Sequence, residues 1–270
     1  MKEVDAVGVV QLEDVKARVA RRLLQTGSIL RSRGIAAVQD TGPTKELDAV
    51  MLGNALVGYG GNMSLNNIAI IENIMNMSIM EANHLVPDAA NTLDWYAEFV
   101  DCLRSLGCFI ADSGYTQYSE KTIRVEAELV IKDIVKGILD GVVASTPAAT
   151  ILGTVVGTTI DGLKSDGDSL NLFNHQVKTP KGMRMSFIPC EQQANGLLIA
   201  AATTLSEDGK ENNGGVLFVD WKTSARKLFH GKAFITFNPA KYAEYKDDIE
   251  NYLGQHRKEV LSKRFSRRKA

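Results

Sequence analysis

The chain has 270 residues, enough for one large domain or two small ones, and 44% of them are apolar, enough for a real core. A formal net charge of −1 excludes attraction of the whole chain to nucleic acid or to an anionic surface. Three cysteines (Cys102, Cys108 and Cys190) are too few and too widely spaced for a disulfide framework, and Cys102 and Cys108, in a strongly apolar helical stretch, read as buried thiols in a protein that folds under reducing conditions.

The first residues, MKEVDAVGVVQLEDVK, carry acids early and lack a long apolar stretch. A cleaved secretory signal is therefore not expected. The expectation is a protein made in the cytoplasm, with any release following a route without a cleaved signal. Leu12, Val15, Val19, Leu23 and Leu30 recur at helical spacing, with Arg18, Arg21 and Arg22 off that stripe, and Gly34 ends the pattern. Asp40-Thr41-Gly42-Pro43 is a turn cluster. A second helix is predicted over 44–57, with Leu47, Val50, Met51 and Ala55 inward.

Three glycines in GYGGNMSLNN interrupt this pattern, and Gly58, Gly60 and Gly61 read as a hinge between helices. A glycine-rich phosphate loop is the competing reading. It is disfavoured because the segment is expected to follow a helix, and because no Gly-Lys-Ser/Thr ending is present. A helix over 64–85 carries only Glu72 and Glu81 as acids and contains Met75, Met77 and Met80, just after Met63. Such a helix is either central in a bundle or an adaptable binding face. A further helix is predicted over 89–110, closed by Asp112-Ser113-Gly114. Another runs from Glu120 toward Leu139 with Ser119 as its N-cap, and Ile123, Ala127, Val130, Ile131, Ile134 and Ile138 form its stripe.

The run over 141–160, GVVASTPAATILGTVVGTTI, is twenty residues without a charge. Small residues recur at every fourth position: Gly137, Gly141, Ser145, Ala149, Gly153 and Gly157. That spacing lets a second backbone approach closely, and twenty uncharged residues are about enough to span a bilayer. Pro147 argues for two helices joined at 144–146, because a proline inside one helix removes a hydrogen bond whereas at a first turn it is tolerated. Ile151, Leu152, Val155, Val156 and Ile160 then form the inner face of the second helix.

After Lys164 the periods shorten. SLNLFNHQV, MRMSFIP, GLLIAAATTL, GGVLFVDW and KAFITFNP read as four to six antiparallel strands bounded by turn residues. A last helix begins near Pro239, with Tyr242, Tyr245, Ile249, Tyr252 and Leu253 on one face. Residues 257–270 hold seven basic residues and one acid, leaving the rest of the chain near −7. Arg257, Lys258, Lys263, Arg264, Arg267 and Arg268 are therefore a candidate contact for an anionic partner or for the body of a second copy, or a solvated helix end. The expected fold is α+β: an N-terminal helical bundle over 1–165, then a small antiparallel sheet or sandwich with a C-terminal helix and basic tail over 166–270.

Catalytic groups are sparse. His84, His175, His230 and His256 lack metal-ligand spacing. Cys190 would act as a nucleophile only with His175 or His230 in reach. The basic and aromatic residues of the β-region have ordinary density, so nucleic acid is not expected as a partner. No cofactor, metal site or catalytic residue is assigned, and enzymatic activity is not expected. A charge-free run beside a β-rich part is either a buried helical hairpin in the core of a bundle or the mark of a membrane-active protein of pore-forming-toxin type. Its soluble form would shield an apolar helical segment that inserts on oligomerisation, with a lipid bilayer or a surface receptor as partner. The alternative to membrane action is a self-assembling subunit of a tube, filament or shell. Both of these imply a homo-oligomer.

Overall fold

A computed structural model describes residues 40–41, 49–87, 91–117, 124–142, 147–179, 182–208, 220–222 and 227–267. The amphipathic N-terminal segment, Ser119 and the 144–146 joint lie outside them.

The chain's unbroken apolar segments form the centre of a sheet. β2 (Ala49–Leu52) and β3 (Ala55–Tyr59) are buried along their whole length and pair as a hairpin. Gly53, at φ 58°, makes their two-residue turn, where the first central residue needs a positive φ. A helix was expected over 44–57. Apolar residues spaced three and four apart also fit a strand whose two faces are both covered, and the Gly-Asn pair at the turn decides for the hairpin.

The other strands are β1 (Asp40–Thr41), β4 (Phe109–Gln117), β6 (Lys178–Thr179), β7 (Gly182–Gln192), β8 (Leu198–Asp208) and β10 (Lys227–Phe237). They order as β1-β2-β3-β7-β8-β10-β4, with β6 beside β7. β3 and β7 run parallel, from Ala55↔Ser186 to Tyr59↔Cys190, and the other neighbours are antiparallel. β5 (Arg124–Glu126) and β9 (Asp220–Lys222) form a separate two-stranded ribbon. The predicted turn at Asp112-Ser113-Gly114 lies inside β4. β4 ends the strand order, and polar residues are tolerated on an edge strand that they would disrupt at the centre.

Helices cover both faces of the sheet. α1 (Leu65–Leu85), α2 (Thr92–Ser105), α6 (Pro239–Tyr242) and α7 (Lys246–Arg267) pack on one side. α3 (Ala127–Val142), α4 (Pro147–Ser165) and α5 (Gly167–Val177) pack on the other. The strands divide their side chains accordingly. Met183, Met185 and Phe187 of β7 face the α3–α5 layer, whereas Ile188 and Cys190 face α1 and α2.

The protein is thus mixed α and β, as expected, but arranged in layers. A bundle followed by a sheet is not what the strands build. Strands from both sides of residue 165 share one sheet, and that position lies between two helices of the same layer. The two-part division therefore does not describe the molecule.

α1 matches the helix expected over 64–85. Ser64 caps it by accepting the Asn67 N–H, at 3.2 Å. Its methionines Met75, Met77 and Met80 are buried in the core, as is Met63 before it. SLNLFNHQV is the helix α5 rather than a strand. Asp166 accepts the N–H groups of Asp168 and Ser169, and the buried Ser169, Phe173 and Val177 recur at intervals of four.

Candidate functional site

The charge-free run divides between α3 and α4, and α4 opens at Pro147. No helix of the described residues is long and apolar enough to cross a membrane. The inner side of α3 buries Val130, Ile131, Ile134, Val135, Ile138 and Leu139, and that of α4 buries Leu152, Val155, Val156 and Ile160. The inner face expected for the second helix is therefore present, with Ile151 half-buried at its margin.

Gly58 of β3 seats α4 on the sheet. A Cβ there would stand 2.4 Å from Thr159 Oγ1, a distance that close packing forbids, and 3.0 Å from Val155 Cγ1, a tight contact. Gly60, buried just after β3, donates its N–H to Cys190 O at 2.8 Å. A Cβ on Gly60 would coincide with the Glu191 carboxylate, 1.4 Å from Oε2. Gly61 is exposed. The three glycines therefore do not join two helices as a hinge: Gly58 and Gly60 are sites of close approach after a strand. The segment does lead from strand to helix, contrary to the sequence argument used against a phosphate loop. The carboxylate of Glu191 against Gly60 opposes an anion at that place.

The outer side of α4 exposes Thr150, Gly153, Thr154 and Thr158, with no charged residue between Pro147 and Ile160. Thr154 Oγ1 donates to Thr150 O at 3.0 Å, and Thr158 Oγ1 lies 3.2 Å from both Thr154 O and Val155 O. The hydroxyls of Thr154 and Thr158 are thus tied back to the helix. Added Cβ atoms at Gly137, Gly153 and Gly157 would meet nothing within 4 Å. Gly137, Gly153 and Gly157 consequently make no close helix–helix contact among the described residues. Gly141 is exposed, Ala149 is half-buried, and Ser145 lies outside the described residues.

Two features of this region lay beyond the sequence reading. The first is a groove of about 340 Å³ between α3 and α4, floored by Val135, Leu139, Ala149 and Val156 and flanked by Lys132 and Lys136. The second is a clasp. Glu128, on the first turn of α3, accepts from Lys132 at 2.7 Å and also from Lys164 at the end of α4. Burial of the Glu128 carboxyl works upward on its pKa, but the two lysine contacts outweigh it and hold the group below the usual carboxylate range. The i,i+4 spacing of Glu128 and Lys132 is a sequence signal, whereas nothing local announces Lys164.

Other candidates are dispersed. Arg257 and Lys258 are exposed on α7, the side chains of Lys263, Arg264 and Arg267 lie outside the described residues, and so does Arg268. His84 and His256 are buried, and His230 faces Thr116 at 3.2 Å. Among the described residues no three His, Cys, Asp or Glu side chains group as metal ligands. Cys190 is fully buried, and burial pushes its thiol far above the ordinary range, the opposite of what a thiolate nucleophile needs.

No family model matches the sequence, and no curated protein matches it. Among solved structures the chain is similar to a delta-endotoxin, with 12% identity over 76% of this chain and 91% of that one and a TM-score of 0.45. It is also similar to the activated Cyt2Ba monomer from Bacillus thuringiensis subsp. israelensis, with 13% identity over 67% and 96% and a TM-score of 0.42. The Evf virulence factor matches at 11% identity over 86% and 89%, with a TM-score of 0.36.

Proposed function

We propose that this protein is a non-catalytic, membrane-active protein in which the α3–α4 pair leaves the sheet and enters a bilayer on oligomerisation. The outer side of α4 carries the reading. Between Pro147 and Ile160 it offers no charge to desolvate, and the Thr154 and Thr158 hydroxyls already donate within the helix. Moving the 147–160 part of this helix from water to lipid therefore strands no ion. The inner side supplies Leu152, Val155, Val156 and Ile160 for contact with acyl chains.

The charge-free part of α4, 147–160, is about 21 Å long at 1.5 Å per residue, short of the ~30 Å apolar core of a bilayer. It therefore does not span alone and enters as half of a helical pair embedded in the apolar layer, with Asp161 and Lys164 kept in the headgroup layer. Dye release from liposomes tests this. Gly153→Asp leaves the soluble fold intact, because a side chain there meets open space. It places a charge costing about 3 kcal/mol in the apolar layer, and leakage is expected to disappear. Leakage at the wild-type rate from a folded Gly153→Asp protein would sink the reading.

The open space at Gly137, Gly153 and Gly157 also favours a second reading, a subunit of a regular assembly packed through these positions. Electron micrographs of the purified protein without lipid separate the two: regular polymers that dissolve on removal of 257–270 favour assembly.

A further inference from the structure

We infer that the α3–α4 groove binds one acyl chain of an anionic lipid, with the chain on the apolar floor and the anionic head between Lys132 and Lys136. The inference rests on the membrane-active reading for its purpose, but the site exists in the folded monomer. At about 340 Å³ the groove lies near the lower end of the ~300–1,000 Å³ usual for small ligands, room for one chain rather than a whole two-chain lipid. Val135, Leu139, Ala149 and Val156 supply its floor, and no side chain closes it at Gly153, where a Cβ would meet nothing within 4 Å. A purely polar ligand would gain nothing from that floor.

The charges are unevenly placed. Lys132 and Lys136 stand one helical turn apart on the same wall. Lys132 shares Glu128 with Lys164, so two lysines meet one carboxylate at that end, with Lys136 one turn further along the groove. The side chains of Lys132 and Lys164 keep 41% of their surface exposed, and Lys136 makes no ion pair among the described residues. Asp140, one turn beyond Lys136, marks the opposite end, and neither Asp133 nor Asp161 lines the groove. An anionic head is thus drawn to the lysine end while its chain runs toward Leu139 and Ala149. The lysine stems add apolar surface beneath the charged tips. A neutral amphiphile would use the floor alone.

The experiment uses the full chain without bilayers and a dansyl-labelled undecanoate, with its methyl ester as the uncharged counterpart. Saturable binding of the acid is expected, with the ester weaker by about tenfold and the Lys132→Gln/Lys136→Gln protein losing about tenfold for the acid. Gly153→Leu fills the groove and is expected to abolish binding, with circular dichroism confirming its fold. Should that variant not fold, the ester and lysine comparisons decide alone. No saturable binding, or equal affinity for acid and ester in both wild type and double variant, overturns the inference. Liposome leakage measured on the same preparations separates it from the reading above. Leakage without probe binding removes the groove and leaves the membrane activity, whereas probe binding without leakage removes the membrane activity and leaves the groove.

Discussion

Gly58 and Gly153 are the same residue type with opposite duties. At Gly58 the missing side chain is filled by α4, since Thr159 Oγ1 occupies the space of a methyl group. Gly58→Ala is therefore expected to destabilise the protein by about 1–3 kcal/mol through overpacking. Adding Thr159→Ala, which clears that space, should recover part of the loss. At Gly153 nothing occupies the space, and Gly153→Ala should raise stability by up to about 1 kcal/mol by favouring the helix. Urea denaturation midpoints of the four proteins test both statements, and a stabilising Gly58→Ala would show that α4 does not rest on β3. Both glycines were visible as candidates in the sequence. Their duties were not, because a close approach depends on a residue about one hundred positions away, and no local pattern carries that information.

Between elements, the Glu128 clasp ties the first turn of α3 to the last turn of α4. Its partners are partly exposed, so its contribution is expected to be about 1 kcal/mol or less. The sign of its pH dependence follows from the lowered pKa. The stabilisation is complete above the ordinary carboxyl value of 4.5 and is lost as the pH falls through the lower value of the folded state. Glu128→Gln should remove this part of the acid sensitivity, so that its thermal midpoint and that of the wild type converge as the pH drops below about 4. A gap between them that stays constant with pH would exclude the clasp as an ionic contact. At this scale the sequence was legible where a helix carried one continuous stripe, as in the inner face of α4, and where a long segment was apolar all round, as in α1. It misled where both sides of an element were covered. The β2–β3 hairpin then resembled a helix; α5, buried on one side only at intervals of four, was misread for a different reason, its short apolar segment between turn residues.

Across the whole molecule, one sheet unites segments that the sequence reading had assigned to separate parts. β3 pairs with β7, and β4 with β10, so each half of the chain carries strands whose partners lie in the other. Fragments 1–165 and 166–270, expressed separately, should therefore each lack cooperative unfolding, whereas coexpression should restore soluble material. A cooperative melt from either fragment alone would contradict this. The change from helical to β texture near residue 165 was real in composition and false as a boundary, since strand order is set by pairings that no local window contains.

The parallel β3–β7 pairing also sets the timetable of biosynthesis. When the ribosome has released Val177, β2 and β3 have been made but β7 has not, and β4 must wait still longer for β10. A nascent chain carries each of these strand edges uncovered while more than one hundred further residues are made, so its yield in the cell should depend on chaperone supply and on elongation rate more than on the stability of the finished molecule.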